Sequence, residues 1–416
     1  MSKGGQLPVA VAVLTGGSDR PYVFGLVKEL ISRGVVVDLI GSDELDFPEF
    51  RDASQVRLFK LRGEQHSNAG VASKVFRICA YYARLVRYAA MAKPRVFHVL
   101  WNNKFELFDR TILMLYYRML NKRVVLTAHN VNLGRRNSKD TFFNRFTLRI
   151  QYRLADCIFV HTQEMQLELI QEFGAQADKV RVIPFGINNQ VPSTSLSPNE
   201  AKGRLGLPSA DKTILFFGKI RPYKGLEYLV EAFLRLAKES EQYRMVIAGK
   251  PGKGCEKYWE EIQEQIRGYV QDGRILVRTD YVPDDEVEVY FKAADVMVLP
   301  YRSIYQSGVL FLGYNFGLPA LAADVGSLKE DVIEGETGFV FKPEDPIELA
   351  AVIERYFASD LYKELGIRRD VVRSLAVNRH SWEVVGQATT SVYTDLIRTC
   401  ERRKALNRQA STTPHE

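Results

Sequence analysis

Short runs rich in Val, Ile and Leu alternate with amphipathic stretches of ten to fifteen residues along almost the whole chain. That alternation marks parallel β-α units, in which a strand covered on both faces is followed by a helix with one apolar stripe. In the first half it predicts strands over Val9–Thr15, Val35–Ile40, Arg95–Trp101, Arg123–Thr127, Cys157–His161 and Val180–Pro184. In the second half it predicts Thr213–Gly218, Met245–Gly249, Ile275–Thr279, Val296–Pro300, Ala320–Ala323 and Gly338–Phe341. Each half can form one doubly wound sheet, so the expected class is α/β with two Rossmann-like domains. The rhythm stops at "NNQVPSTSLSPNEAKGRLGLPSADK", residues 188–212, where Pro, Ser and Asn replace periodic apolar residues and predict a linker. The expected domains are thus 1–187 and 213–380, followed by a periodic stretch, Ser381–Ile397, and a frayed tail over 401–416.

Composition narrows the class. The chain has 416 residues, 46% apolar and 26% charged, without a low-complexity tract, as expected of a soluble protein with a large core. Its longest apolar runs, such as Val9–Leu14, fall far short of the roughly 18–20 residues that span a bilayer. That first run leads into Gly16-Gly17-Ser18-Asp19-Arg20 and reads as a strand rather than a secretory signal. Cys79, Cys157, Cys255 and Cys400 are widely separated, with neither Cys-x-x-Cys nor zinc-type spacing, which predicts a reduced, cytoplasmic setting. The net charge of +7 is unevenly spread, with 19 Lys and Arg against 4 Asp and Glu between Lys60 and Ala155. Such a field attracts anions, but no nucleic-acid recognition motif accompanies it, and no nucleic-acid partner is expected.

The densest chemistry lies in "LFFGKIRPYKGLEYL", residues 215–229, where Lys219, Arg221 and Lys224 crowd a turn between a strand ending in Gly218 and a helix starting near Gly225. Three cations so close repel one another unless they are solvated in a loop or surround an anion, and a diphosphate at the carboxyl edge of a sheet fits the second case. Three other strand ends add candidates. "TAHNVN" offers His129, "LTGGSDRPYVFGLVKEL" puts Gly16 and Gly17 where a backbone approaches something closely, and "LPYRSIYQSG" brings Gln306, Ser307 and Gly308 to a helix start. The full Gly-x-Gly-x-x-Gly fingerprint and the Gly-x4-Gly-Lys-Ser/Thr phosphate loop are both missing, which disfavours nicotinamide and ATP chemistry.

Taken in order, "ADCIFVHTQ", "KVRVIPFGI", "FFGKIRPYKGLEYLVEAF", "AADVMVLPY", "GLPALAADVGSLKEDVIEGETGFVF" and "HSWEVVGQATTSVY" resemble the retaining glycosyltransferases of family four, which have the GT-B architecture. The resemblance spans nearly the whole chain. It implies two facing Rossmann-like domains, the first completed by residues 381–400, and a nucleotide sugar, UDP- or GDP-linked, bound mainly by the second. It also implies a metal-independent mechanism, in agreement with the lack of any Asp-x-Asp, so neither metal nor cofactor is expected. Lys224 matches the family lysine that neutralises the leaving diphosphate. The preceding family arginine aligns with Lys219, while Arg221 is placed to take over its bidentate contact, and the resemblance does not choose between them. His129 matches the histidine facing the donor sugar, Gly16 and Gly17 the loop over the diphosphate, and Tyr281 and Val282 the loop against the base.

One departure stands out. The family's paired glutamates, eight positions apart, fall on Ile304 and Leu312. A branch of the family carries Gln-Ser-Gly here, as in Gln306-Ser307-Gly308, which makes Gln306 and Ser307 candidates for sugar and phosphate contacts; the competing reading is a plain helix cap. His98 reads as a strand residue. Residues 72–93, with Val75, Phe76, Cys79, Tyr82, Val86, Tyr88 and Ala89 roughly on one side and Lys74, Arg77, Arg84 and Arg87 beside them, read either as a helix packed on the first sheet or as one resting on an anionic membrane. The expected function is retaining transfer of a sugar to a lipid-linked or polysaccharide acceptor in cell-surface glycan synthesis, at the inner face of the membrane. The lost glutamates keep a second expectation open, a catalytically silent nucleotide- or glycan-binding scaffold.

Overall fold

A computed structural model of the chain describes residues 9–16, 19–63, 71–103, 105–136, 140–187 and 191–410. Two compact units account for it, residues 1–186 with 382–416, and residues 187–381.

The first unit is built on a seven-stranded parallel sheet of β1 (Ala10–Leu14), β2 (Val36–Ile40), β3 (Val56–Phe59), β4 (Val96–Val99), β5 (Arg123–Thr127), β6 (Cys157–Val160) and β7 (Val180–Val182), in the order β3-β2-β1-β4-β5-β6-β7. Its helices include α1 (Arg20–Ser32), α2 (Val71–Met91), a helical run over 106–119 that we call α3, α4 (Phe142–Leu154) and α5 (Gln163–Phe173). All six strands expected here are present, and β3 is an addition. Its sequence, Val-Arg-Leu-Phe, carries Arg57 within the apolar run and is not among the expected strands. The edge position resolves this, since Arg57 leaves the sheet margin to pair with the buried Asp38 at 2.6 Å, and Tyr88 donates to the same carboxylate at 2.7 Å.

The second unit begins with α6 (Pro198–Arg204) and carries a six-stranded parallel sheet of β8 (Lys212–Phe217), β9 (Tyr243–Ala248), β10 (Ile275–Arg278), β11 (Val296–Leu299), β12 (Ala320–Ala323) and β13 (Gly338–Phe341), ordered β10-β9-β8-β11-β12-β13. Around it lie α7 (Leu226–Glu239), α8 (Asp284–Ala293), α9 (Gly308–Asn315), α10 (Pro346–Ala358) and α11 (Leu365–His380). Phe216, Phe233, Phe291 and Phe311 are fully buried in its core, each contributing about 1.5–3 kcal/mol by leaving water.

The stretch expected as a linker is, from Val191 onward, part of the second unit. Ser197 and Glu200 form a reciprocal capping box at the start of α6, Leu196 and Ala201 pack with Ala293, and the Lys202 ammonium reaches buried Asp295 at 2.9 Å. Residues 188–190 lie outside the described residues.

The last helix, α12 (Trp382–Ala410), belongs to the first unit, where Val385 and Tyr393 join the core formed by Val11, Val13 and Leu26. Trp382 fits this corner because two glycines make room. A Cβ on Gly25 would lie 2.0 Å from its indole, and one on Gly186 2.5 Å from it. The helix continues to Ala410, well into the stretch expected to fray.

Candidate functional site

Strand order reverses between β1 and β4 in one sheet and between β8 and β11 in the other. Loops leaving the carboxyl ends of such neighbours run in opposite directions and open a crevice, where α/β folds bind ligands. Most of the candidate residues lie at these two crevices.

In the second unit the turn after β8 is locked against the loop after β11. Gly225 has φ +63°, and a Cβ on it would lie 1.9 Å from the Pro300 carbonyl oxygen. Only glycine fits there. This packing draws the Lys224 side chain inward until the residue is 6% exposed. Its ammonium sits 5.3 Å from the Tyr301 ring centre and 6.0 Å from that of Phe216, and a Cβ on Gly218 would approach it to 2.8 Å. Aromatic faces stabilise a cation. Arg221 goes elsewhere, lying across Gly252 in the loop after β9, where a Cβ would meet its Nε at 2.9 Å. Lys219 is exposed. The three cations of the turn thus have three environments, and only Lys224 is held in the crevice floor.

The loop after β11 contributes the Gln-Ser-Gly stretch. Ser307 occupies the N-cap position of α9 yet makes no side-chain cap bond; its hydroxyl lies 3.4 Å from that of Tyr301. Gln306 Oε1 is buried with no hydrogen-bond partner. These are not the contacts of a simple helix cap. Gly308 is exposed, with open space where a Cβ would be. Leu312 is buried, whereas Ile304 presents its carbonyl to Gly326. Tyr281, 72% exposed, and buried Val282 follow β10, two strands away from β8. Beside the turn, Glu227 binds the Arg302 guanidinium and the Tyr258 hydroxyl, a pairing the sequence reading missed.

In the first unit Gly16, at φ +56°, packs on the end of β4, where a Cβ would lie 2.3 Å from the Trp101 carbonyl oxygen. The chain segment it approaches closely is therefore its own sheet. Gly17 lies outside the described residues. His129, just past β5, stacks on Trp101 with ring centres 4.3 Å apart and planes 7° from parallel, and meets Tyr22 edge-on. Its Nδ1 is 3.0 Å from Nε2 of His161, whose own Nδ1 is 3.2 Å from the Ile183 carbonyl oxygen. The carbonyl can only accept, so His161 carries its proton on Nδ1, and its Nε2 accepts from His129 Nδ1. His129 Nε2 is left as a lone-pair acceptor, buried and without a partner. Burial holds both rings neutral, pushing His161 down to about 4 and His129 well below the usual histidine range. This arrangement is suited to receive a hydrogen bond from a hydroxyl. Trp101, Tyr22 and His161 were not singled out in the sequence; the strand-end positions of Trp101 and His161 are the signal that could have found them.

His98 is a strand residue, as expected, bonded to Tyr393 and Thr127 inside the unit, with burial lowering its pKa to about 3. In α2, Tyr81, Leu85 and Ala89 form the buried face, while Val75, Phe76 and Cys79 are exposed. The apolar side expected from the sequence is therefore split between core and surface. Among the described residues no group of three or more His, Cys, Asp or Glu is placed to hold a metal ion, and no helix is long and apolar enough to cross a membrane.

Two sequence families match this chain: Glycosyltransferase Family 4 over residues 16–191, and Glycosyl transferases group 1 over residues 211–359. The D-inositol 3-phosphate glycosyltransferase of Corynebacterium diphtheriae is 25% identical over 91% of this chain and 90% of its own length. That of Acidothermus cellulolyticus is 27% identical over 62% of this chain, and the match spans only 57% of that relative. Among solved structures, sucrose-phosphate synthase from Thermosynechococcus elongatus superposes with a TM-score of 0.75 at 18% identity, covering 94% of this chain and 100% of that one. Anabaena HepE in complex with UDP gives a TM-score of 0.69 at 16% identity, over 94% of this chain and 100% of its own. At these identities the structural likeness speaks for the fold, GT-B with two Rossmann-like domains.

Proposed function

Since the chain belongs to glycosyltransferase family 4, we propose that it is a retaining, metal-independent hexosyltransferase that moves a sugar from a UDP- or GDP-linked donor to a lipid-linked or polysaccharide acceptor in cell-surface glycan synthesis. The single observation that carries this reading is the Lys224 ammonium, held at the β8–β11 crevice between aromatic faces with little water around it. When the glycosidic bond breaks, the nucleoside diphosphate departs with growing negative charge, and a cation already desolvated and fixed in place stabilises that charge without reorganising. Arg221 and Lys219 are the candidates for the outer diphosphate oxygens; Gln306 and Ser307 offer hydrogen bonds to sugar or phosphate. Gly308 at the start of α9, and Tyr281 and Val282 beside the base, complete the proposed donor contacts of the second unit. His129 accepts a hydrogen bond from a sugar hydroxyl through Nε2. The UDP held by Anabaena HepE supports uridine nucleotides as the first donors to try. We place the protein at the cytoplasmic face of the membrane, with the basic first unit towards anionic lipid.

A thermal-shift screen of UDP- and GDP-sugars, followed by an assay of sugar release and transfer with the anomeric configuration of the product read by NMR, tests the proposal. Binding with turnover and retention supports it. Ile304 and Leu312, aliphatic where the family carries glutamates, favour one rival reading, a silent scaffold; it predicts binding with neither release nor transfer.

A further inference from the structure

The part given to His129 rests on the glycosyltransferase reading, and whether His129 can play it is decided elsewhere in the first unit. A neutral imidazole has two forms, and each makes a different ring nitrogen the acceptor. The surroundings of the His129 ring do not select between them directly. Tyr22, Trp101 and Phe185 present aromatic rings to it. The charged residues of the cavity of about 210 Å³ that His129 lines, Arg110 and Glu106, are paired with each other at 2.6 Å.

The selection comes through His161, and it begins in the backbone. His161 Nδ1 lies 3.2 Å from the Ile183 carbonyl oxygen. Ile183 follows β7, and its own N–H is committed to the Val160 carbonyl at 2.8 Å. Pro184, which comes next and is also within hydrogen-bond reach of the ring, has no N–H to give. The backbone beside His161 can therefore only accept. Reversing the relay would set a lone pair of His161 Nδ1 against that carbonyl and leave two buried acceptors facing each other, which costs as much as losing a buried hydrogen bond.

We propose that His161 is a positioning residue for sugar transfer: its bond to the Ile183 carbonyl makes its Nε2 the acceptor for His129 Nδ1, and so reserves the lone pair of His129 Nε2 for a free hydroxyl of the donor sugar. That nitrogen is buried without a partner, so a sugar with no proton to give at this position leaves it unpaired. The donor class narrows to sugars with a free hydroxyl there, excluding those deoxygenated or acylated at the same carbon. Burial keeps both rings neutral, which prevents His129 from turning donor by taking up a second proton.

Two measurements test this. In protein carrying nitrogen-labelled histidine, NMR correlations across each ring read which nitrogen holds the proton. His129 and His161 are both expected to carry it on Nδ1. His161→Phe, which keeps a ring but offers no acceptor, is expected to lose that preference at His129, and His161→Gln, whose amide oxygen can stand in for Nε2, to keep it. Calorimetry then compares UDP-glucose, or the UDP- or GDP-sugar with the largest thermal shift, with analogues in which fluorine replaces one sugar hydroxyl at a time. At one position fluorine is expected to weaken binding to the wild type about threefold to tenfold, the usual worth of one hydrogen bond. His161→Phe is expected to bind the parent sugar nucleotide more weakly by the same factor and to make no distinction at that position, while His161→Gln recovers it and the nucleoside diphosphate alone binds all three proteins equally. A proton on His129 Nε2 in the wild type would overturn the proposal, as would a fluorine penalty at no position or one unchanged in His161→Phe. Weaker binding of the nucleoside diphosphate to His161→Phe would mark a purely structural residue and likewise remove it. In each of these results a sugar nucleotide still binds and the glycosyltransferase reading stands; if none binds the wild type, that reading falls and takes this one with it.

Discussion

The two crevices occupy the same topological position in their sheets and solve opposite problems. In the second unit the crevice floor after β8 holds a charged group, Lys224, out of water. In the first, the floor after β5 and β6 holds two imidazoles neutral by burial and passes a hydrogen bond from one to the other. The first arrangement is fitted to meet charge, the second to meet a hydroxyl. The shared fold supplies the position, and the side chains decide the chemistry.

Removing charge from the cationic crevice is expected to have the largest effect. Lys224→Ala should lower kcat by about 10²–10³-fold, the usual result of deleting a group that stabilises developing charge, as measured in a steady-state transfer assay. The backbone that positions it comes next. Gly225→Ala forces a Cβ into the Pro300 carbonyl at a positive φ and should cost about 1–3 kcal/mol of stability by urea denaturation, whereas Gly308→Ala, with open space around it, should leave the midpoint unchanged or slightly higher.

Acid should separate the units. His98 and His161 have folded-state values of about 3 and 4, below the ordinary 6.5. The unfolded chain therefore takes up protons that the folded unit refuses. Stability of the first unit is complete above about pH 6.5 and falls as the pH drops, by up to about 1.4 kcal/mol per pH unit per histidine, levelling off near each folded value. Asp331 in the second unit has the opposite sign, since burial raises it to about 6, so its contribution is complete below the unfolded value and is lost as the pH rises through about 6. Denaturation curves monitored separately for the two units across pH 4–8 would show this divergence. The smallest effect belongs to Ser307→Ala. Its hydroxyl makes one long contact to Tyr301, so stability should change by less than about 1 kcal/mol, and any larger loss in donor affinity marks a direct ligand contact.

The cationic crevice was largely legible in the sequence because it is local: Gly218, Lys219, Arg221, Lys224 and Gly225 lie within eight residues. Even so, that Lys224 turns inward while Arg221 crosses to Gly252 depends on the loop after β9, which no local pattern reveals. The first crevice gathers Tyr22, Trp101, His129 and His161 from four loops and helices, so His129 stood out as a strand-end residue but received a role only through family resemblance, and its partners could not be named at all. Strands were readable because parallel strands are apolar on both faces. β3 escaped because an edge strand tolerates Arg57, and α6 escaped because the Pro and Ser that suggested a linker form its cap, although Ser197-x-x-Glu200 was a readable capping box.

The central claim is that a desolvated cation after β8 neutralises the diphosphate. The most direct measurement is calorimetry of the wild type and Lys224→Ala with whichever of UDP and GDP binds, alongside the corresponding nucleoside. The account predicts that the variant loses affinity for the diphosphate and keeps the wild-type affinity for the nucleoside. Equal affinity of both proteins for the diphosphate would contradict it.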